Sequence, residues 1–260
     1  MKLLIIGAGN LGSAIYRALQ KTSLRGQVGL YDKHPEKVAA AGARLISLEQ
    51  GLRLAKIILL VIKPQSFKEF AAHWPVSLAG KLIISVMAGV PITTIQKQLK
   101  AKRVIRAMPN LGALVSQSVT GWSASAAATR ADRALCQRIF AGLGDEFALP
   151  RESLIDALTA LAGSGPAYFF YLTELIEAQA RRFGFTKTQA ADVARQTLIG
   201  SAAVLQKYPD APAAWRARVT SRGGTTAAAM GILQKKKFDK IFSQALATAR
   251  QRGVELSKLL

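Results

Sequence analysis

The sequence predicts an α/β fold: a doubly wound parallel sheet over residues 1–150, then an all-α second domain over 151–260. Three observations predict it. Short apolar runs alternate with helical periodicity through the first half. Strand signals stop after Pro150. At the start, Leu3-Leu4-Ile5-Ile6 runs into glycines at positions 7, 9 and 12, and Ala14, Ile15, Ala18 and Leu19 then recur at helical spacing. With 50% apolar residues in 260, a large core is available and disorder is not expected.

The opening stretch reads strand, tight turn, helix. Gly7 permits the turn, Gly9 lets an anion approach the backbone, and Gly12 lets helix and strand pack closely. The following helix presents free N–H groups and the positive end of its dipole. In this context the G-x-G-x-x-G spacing predicts a Rossmann-type dinucleotide site. Val28–Tyr31 is the second strand, ending at Asp32, and Pro35 opens a helix through Ala41. Leu45-Ile46 reads as a short strand. Ile57–Ile62 is continuous and β-branched, as expected of a strand buried on both faces. Leu82–Val86 and Val104–Ala107 follow the same pattern. Ser118–Trp122 and Phe147–Leu149 read as edge strands around a helix from Thr129 to Leu143.

Beyond Pro150 the pattern is helical. Leu154–Ala162 precedes Gly163-Ser164-Gly165-Pro166, and Ala167–Phe183 is long and aromatic. Thr186 and Gln189 form a capping box, Pro209 and Pro212 bracket a break, and a last helix spans 238–256. The consecutive Tyr168, Phe169, Phe170 and Tyr171 cover every side of one helix. Such a helix must be buried all round, which predicts a homodimer through this domain.

The net charge of +21 comes from lysines and arginines scattered along the chain, with one cluster at Lys235-Lys236-Lys237. It draws anionic ligands, but no aromatic-interleaved basic stretch points to nucleic acid. The single Cys136 excludes a disulfide framework. Gly7 interrupts the first apolar run, so neither a secretory signal nor a membrane partner is expected, and the protein reads as cytoplasmic. His34 and His73 lack metal spacing, and His73 falls in a surface-like patch with Trp74 and Pro75; both read as structural or exposed. No nucleophile elbow is present. This poverty of ionisable groups suits chemistry carried by a cofactor.

Cofactor choice stays open at this level. Asp32 follows Gly12 by 20 residues, where a carboxylate accepts from a ribose 2′-OH; Lys33 and His34 beside it suit a 2′-phosphate instead. Ile62-Lys63-Pro64 and Arg106-Ala107-Met108-Pro109-Asn110 end strands at the ligand edge of the sheet. Val219–Ala227 places two glycines and two threonines at a helix start, the composition of an anion nest or of a flexible N-capped entrance.

Together with Ser85-Val86-Met87-Ala88-Gly89-Val90 and Ala162–Tyr168, these stretches resemble the pyrroline-5-carboxylate reductases over nearly the full chain. The resemblance implies a Rossmann domain with a helical dimerisation domain, dimers that in many members assemble into decamers, and hydride transfer from NADPH, or NADH, to a cyclic imine. By that likeness the dinucleotide would rest on Gly7, Ala8, Gly9, Asn10, Leu11 and Gly12, on Asp32 and Lys33, on Val61, Ile62, Lys63 and Pro64, and on Ala88, Met108 and Asn110. Ser221, Gly223, Gly224 and Thr225 would hold the anionic substrate's carboxylate, and the Thr226 hydroxyl its ring nitrogen as the catalytic contact. Two departures stand out. Leu111-Gly112 replaces the family's Thr-Pro, which would loosen the nicotinamide side, and Arg222 replaces a proline. Two rival readings are a non-catalytic dinucleotide sensor or nucleic-acid binder and a β-hydroxyacid dehydrogenase. The latter lacks its lysine, since Phe169 stands four residues after Gly165.

Overall fold

The computed structural model describes residues 1–74, 78 and 80–258, so Pro75 of the His73 patch lies outside the described residues. Five strands, β1 (Leu3–Ile6), β2 (Val28–Tyr31), β3 (Ile57–Leu60), β4 (Leu82–Ser85) and β5 (Arg103–Met108), pair in parallel in the order β2-β1-β3-β4-β5. They run as long apolar stretches because both faces are covered. Leu3, Ile5, Ile57, Leu59, Leu82 and Ile84 face one cluster with Ile15 and Leu19 of α1 (Asn10–Leu19) and Ile139 and Phe140 of α6 (Arg130–Ala141). Leu4, Ile6, Ile58, Leu60, Ile83 and Val104 face the other, with Leu52 of α3 (Leu48–Leu54), Phe67 of α4 (Phe67–Ala72) and Ile92 and Ile95 of α5 (Ile92–Leu99). Full burial of such a side chain is worth about 1.5–3 kcal/mol. An exposed pair such as Arg53–Glu49 adds under about 1 kcal/mol, so the two apolar faces dominate.

From β1 the chain crosses to β2 on one side and then to β3 on the other. The switch point therefore falls between the C-terminal ends of β1 and β3, where open α/β sheets bind ligands. Gly7 adopts φ 110°, and a Cβ there would run into the Val61 carbonyl; a Cβ on Gly12 would run into the Gly7 carbonyl. Both glycines are demanded by backbone-on-backbone approach.

The remaining strands depart from the edge-strand expectation. β6 (Ser118–Ala124) lies inside the sheet, antiparallel to β5 with Met108 opposite Gly121. Of these two strands β7 (Gly144–Ala148) lies at an edge, parallel to β6 across α6. A reciprocal capping box between Thr129 and Asp132 starts α6. Its Cys136 is fully buried; burial, then the charge of Glu146, pushes the thiol well above its usual range and leaves it inert. Leu45-Ile46 is irregular, not a strand, because two residues offer too few ladder bonds to offset ordering. The segment leads into α3, capped by the Ser47 hydroxyl accepting from Gln50 N–H at 3.2 Å.

By contacts the chain divides into Met1–Ser164 with Ala249–Leu260, and Gly165–Thr248. The change of sequence pattern at Pro150 precedes this packing boundary. The stretch between holds α7 (Leu154–Leu158) and a π-helical turn, Thr159–Gly163, within the first unit. The second unit contains α8 (Gly165–Arg182), α9 (Lys187–Lys207), α10 (Pro212–Arg218), α11 (Thr225–Lys235) and the start of α12 (Phe238–Lys258). The Thr186–Gln189 capping box forms in both directions. Of α8 and α9 only Gly165, Ala180, Ala190 and Ala194 are buried; Phe169, Phe170 and Tyr171 are at least half exposed.

Because Gly12 touches backbone, Gly12→Ala should lower the unfolding free energy by about 1–3 kcal/mol. Urea titration checks this, and a variant as stable as its parent would refute the account.

Candidate active site

At the switch point lies a cleft of about 600 Å³. Of the expected residues, Gly7, Gly9, Asp32, Lys33, Val61, Ile62 and Lys63 line it. A Cβ on Gly9 would meet open space, so an anion can reach the turn. Asn10, Leu11 and Gly12 form the first turn of α1, which carries no acidic residue and whose N-cap Gly9 offers no side-chain acceptor. Its opening N–H groups thus remain available to phosphate. These features fit a dinucleotide pyrophosphate.

Asp32 does two jobs at the rim. Its Oδ2 accepts from Ala8 N–H at 2.7 Å and its Oδ1 from His34 N–H at 2.9 Å, tying the second strand to the glycine turn. Lys63 caps the short 3₁₀ turn Pro64–Ser66 without a side-chain bond. Ala88, Met108 and Asn110 do not line this cleft; Ala88 follows β4, Met108 ends β5 and Asn110 follows it. Asn110 N–H donates to Ser118 Oγ at 3.0 Å, and Asn110 Oδ1 accepts from Gly112 N–H at 3.1 Å. Leu111–Val115 is consequently a capped 3₁₀ turn, and a Cβ on Gly112 would strike the Gln117 carbonyl. The Leu111-Gly112 departure therefore makes a tight connection, contrary to the looseness expected of it.

His34, expected beside a 2′-phosphate, also lines the cleft, and so do residues the sequence pattern does not single out for it: Lys37, Ser66, Glu69, Phe70 and His73. In the sequence His73 reads as structural or exposed for lacking metal spacing, a criterion blind to a nucleotide. His73 is held by Nδ1–H donating to the Glu69 carbonyl at 2.9 Å, one turn back on α4. Lys37 could have been found from its place on the helix that follows Asp32.

The second unit carries the glycine–threonine stretch at the start of α11. Gly224 N–H donates to the Ser221 carbonyl at 3.1 Å, Gly223 has φ 72°, and Arg222 is not in the positive-φ region. Ser221–Gly224 is thus a type II turn, which needs glycine at its third position and favours proline at its second. Gly224 is the N-cap of α11, and Ala228 N–H closes the first helical bond to its carbonyl at 3.1 Å. The Gly224 N–H expected to hold a carboxylate is engaged within the turn. The Thr225 and Thr226 N–H groups remain at the helix start, with no acidic residue in the first turn. Among the described residues, the Ser221, Thr225 and Thr226 hydroxyls have no internal partner.

A Rossmann-type switch-point cleft, in a chain whose helical unit opens α11 on glycines and threonines with no acidic residue, is the architecture of a dinucleotide-dependent oxidoreductase. Residues 2–89 match the family described as NADP oxidoreductase, coenzyme F420-dependent, and residues 152–256 match pyrroline-5-carboxylate reductase dimerisation. The chain is 33% identical to a Pseudomonas aeruginosa pyrroline-5-carboxylate reductase, covering 100% of this chain and 98% of that one. The solved Coxiella burnetii pyrroline-5-carboxylate reductase is 28% identical with TM-score 0.84, over 98% of each chain. The Plasmodium falciparum pyrroline carboxylate reductase, solved with NADP bound, shares the fold at 22% identity and TM-score 0.86, over 99% of this chain and 98% of that one. The chain belongs to the pyrroline-5-carboxylate reductase family.

Arg222→Pro should preserve the turn, since Arg222 donates no backbone hydrogen bond among the described residues. It should raise the unfolding free energy by about 0.4–1 kcal/mol through a stiffer unfolded chain. Calorimetry of the two proteins checks this, and a destabilised variant would contradict the turn assignment.

Proposed function

We propose that the protein reduces Δ1-pyrroline-5-carboxylate to L-proline, with NADPH as hydride donor and NADH also usable. The observation that carries this reading is the uncharged nest at the start of α11 in a chain that also holds a dinucleotide cleft. The bound cofactor supplies a hydride from its reduced nicotinamide. Gly7 and Gly9 give its pyrophosphate access to the N–H groups of α1. Asp32 accepts from a ribose 2′-OH, while Lys33, His34 and Lys37 offer cations to a 2′-phosphate.

On the substrate side, Thr225 N–H and the Ser221 hydroxyl hold the carboxylate, and Gly223 and Gly224 shape the turn that aims them. The Thr226 hydroxyl hydrogen-bonds the ring nitrogen. As hydride adds to the imine carbon, C2 of the pyrroline ring, a C–H bond forms and the C=N π pair becomes the nitrogen lone pair. The protonated imine is already an electrophile, so the chain's task is placement more than acid–base catalysis. No carboxylate stands in the first turn of α11 to repel the substrate.

The matched dimerisation region and the exposed aromatics of α8 support assembly into homodimers, with a decamer as a higher state. No helix among the described residues is long and apolar enough to cross a membrane. An unpaired buried thiol suits the reducing cytoplasm.

Mixing protein, NADPH and pyrroline-5-carboxylate and following loss of reduced-cofactor absorbance tests the activity; a flat trace would end the proposal. Thr226→Ala should lower kcat/KM about tenfold, the worth of one substrate hydrogen bond. An unchanged value would remove Thr226 from the site. Asp32→Ser should shift the NADPH-to-NADH efficiency ratio toward NADPH by about tenfold, while loosening the glycine turn for both. A constant ratio would leave Asp32 a purely structural clasp.

A further inference from the structure

Arg106 is the largest of the fully buried side chains, in the middle of β5 between Ser85 of β4 and Ser123 of β6. Its Nη2 donates to Asp156 Oδ1 at 2.6 Å and its Nη1 to Glu152 Oε1 at 3.2 Å. The same Glu152 oxygen accepts from Ile92 N–H at 2.8 Å, in the first turn of α5. One guanidinium thus ties together a central strand, the start of α5 and α7. Its Nε has no partner among the described residues. Val104, two residues earlier on the same face, packs among aliphatic side chains.

Stability is a poor explanation for this group. Taking a guanidinium fully out of water to meet two carboxylates that remain partly exposed is seldom repaid by the attraction, and apolar replacement of buried ion groups is often neutral or stabilising. Geometry is the better explanation. α7 runs directly into the π-helical turn Thr159–Gly163, an irregularity that recurs at functional sites. A side chain on Gly163 would touch the sulfur of Met108, so this turn lies against the end of β5. The family resemblance implies that Met108 and Asn110 border the dinucleotide, on the nicotinamide side of the pocket.

We infer that Arg106 is a positioning residue for hydride transfer: through Glu152 and Asp156 it fixes α7 and its π-helical turn against Met108, and so sets the chain that borders the reactive end of the dinucleotide. The inference rests on assigning Met108 and Asn110 to that end. The adenosine end lies elsewhere, around β1, β2 and β3, with β4 between it and β5. Disturbing the clasp should therefore separate binding from chemistry.

The test uses the full chain with three variants: Arg106→Lys, Asp156→Asn, and the apolar set Arg106→Met with Glu152→Gln and Asp156→Leu. Melting temperature, affinity for adenosine 2′,5′-bisphosphate, and turnover with 4-deuterated NADPH are measured on each. The apolar set should melt within a few degrees of the parent and bind the bisphosphate within about twofold. Its kcat should fall about 10- to 100-fold, as for a misplacement of an ångström. The deuterium effect on kcat should rise as hydride transfer becomes limiting, with KM little changed. Arg106→Lys should recover part of the rate, because an ammonium can reach one carboxylate. Asp156→Asn, which keeps volume and an acceptor oxygen, should show the same kcat loss at smaller size and carries the comparison if the apolar set does not fold. A kcat within twofold of the parent in a folded variant would overturn the inference. So would losses that track melting temperature and bisphosphate affinity together. A parent protein with no turnover would instead remove the proposed reaction, an outcome distinct from either.

Discussion

The structure depends on the approach of two backbones at the switch point. The end of β1 comes so close to Val61 that residue 7 cannot carry a side chain, and the first turn of α1 comes so close to residue 7 that residue 12 cannot either. These contacts are steric and allow little adjustment. They turn the N-terminus of α1 toward the cleft, bring Ala8 N–H onto Asp32, and leave Gly9 open to a phosphate. The apolar faces stabilise the sheet, but this packing of main chain on main chain gives it a ligand edge of defined shape.

Much of the first unit was legible because buried parallel strands cannot disguise themselves. Ile57–Leu60 and Leu82–Ser85 are apolar throughout, and Asp32 follows the glycine turn at the spacing a ribose requires. What escaped was set by long-range pairing. Nothing local in Ser118–Ala124 says that it runs against β5 instead of at the rim, because that depends on the Met108–Gly121 register. Leu45-Ile46 has strand composition but too little length. Arg106 reads locally as a polar break in an apolar strand, and only the fold brings Glu152 and Asp156, 46 and 50 residues away, onto its guanidinium.

The candidate site was legible unevenly for a related reason. Glycines and threonines that shape main chain announce themselves by spacing, as in Ser221–Thr226. The cleft's side walls do not. Lys37 and His73 gain meaning only when α2 (Pro35–Ala40) and α4 are packed beside the same strand ends. Arg222 shows the opposite case, a departure at the sequence level that the turn geometry explains. A type II turn tolerates most residues at that position once Gly223 supplies the positive φ.

The second unit has a different consequence. Its helices bury little beyond a few alanines and leave Phe169, Phe170, Tyr171, Ile232 and Ile241 half uncovered or more. Such a surface is incomplete as the chain leaves the ribosome, and its apolar area is withdrawn from water only by encounter with another molecule. The matched dimerisation region supports another chain as that molecule, which makes covering this surface a second-order step that speeds up as chains become more concentrated.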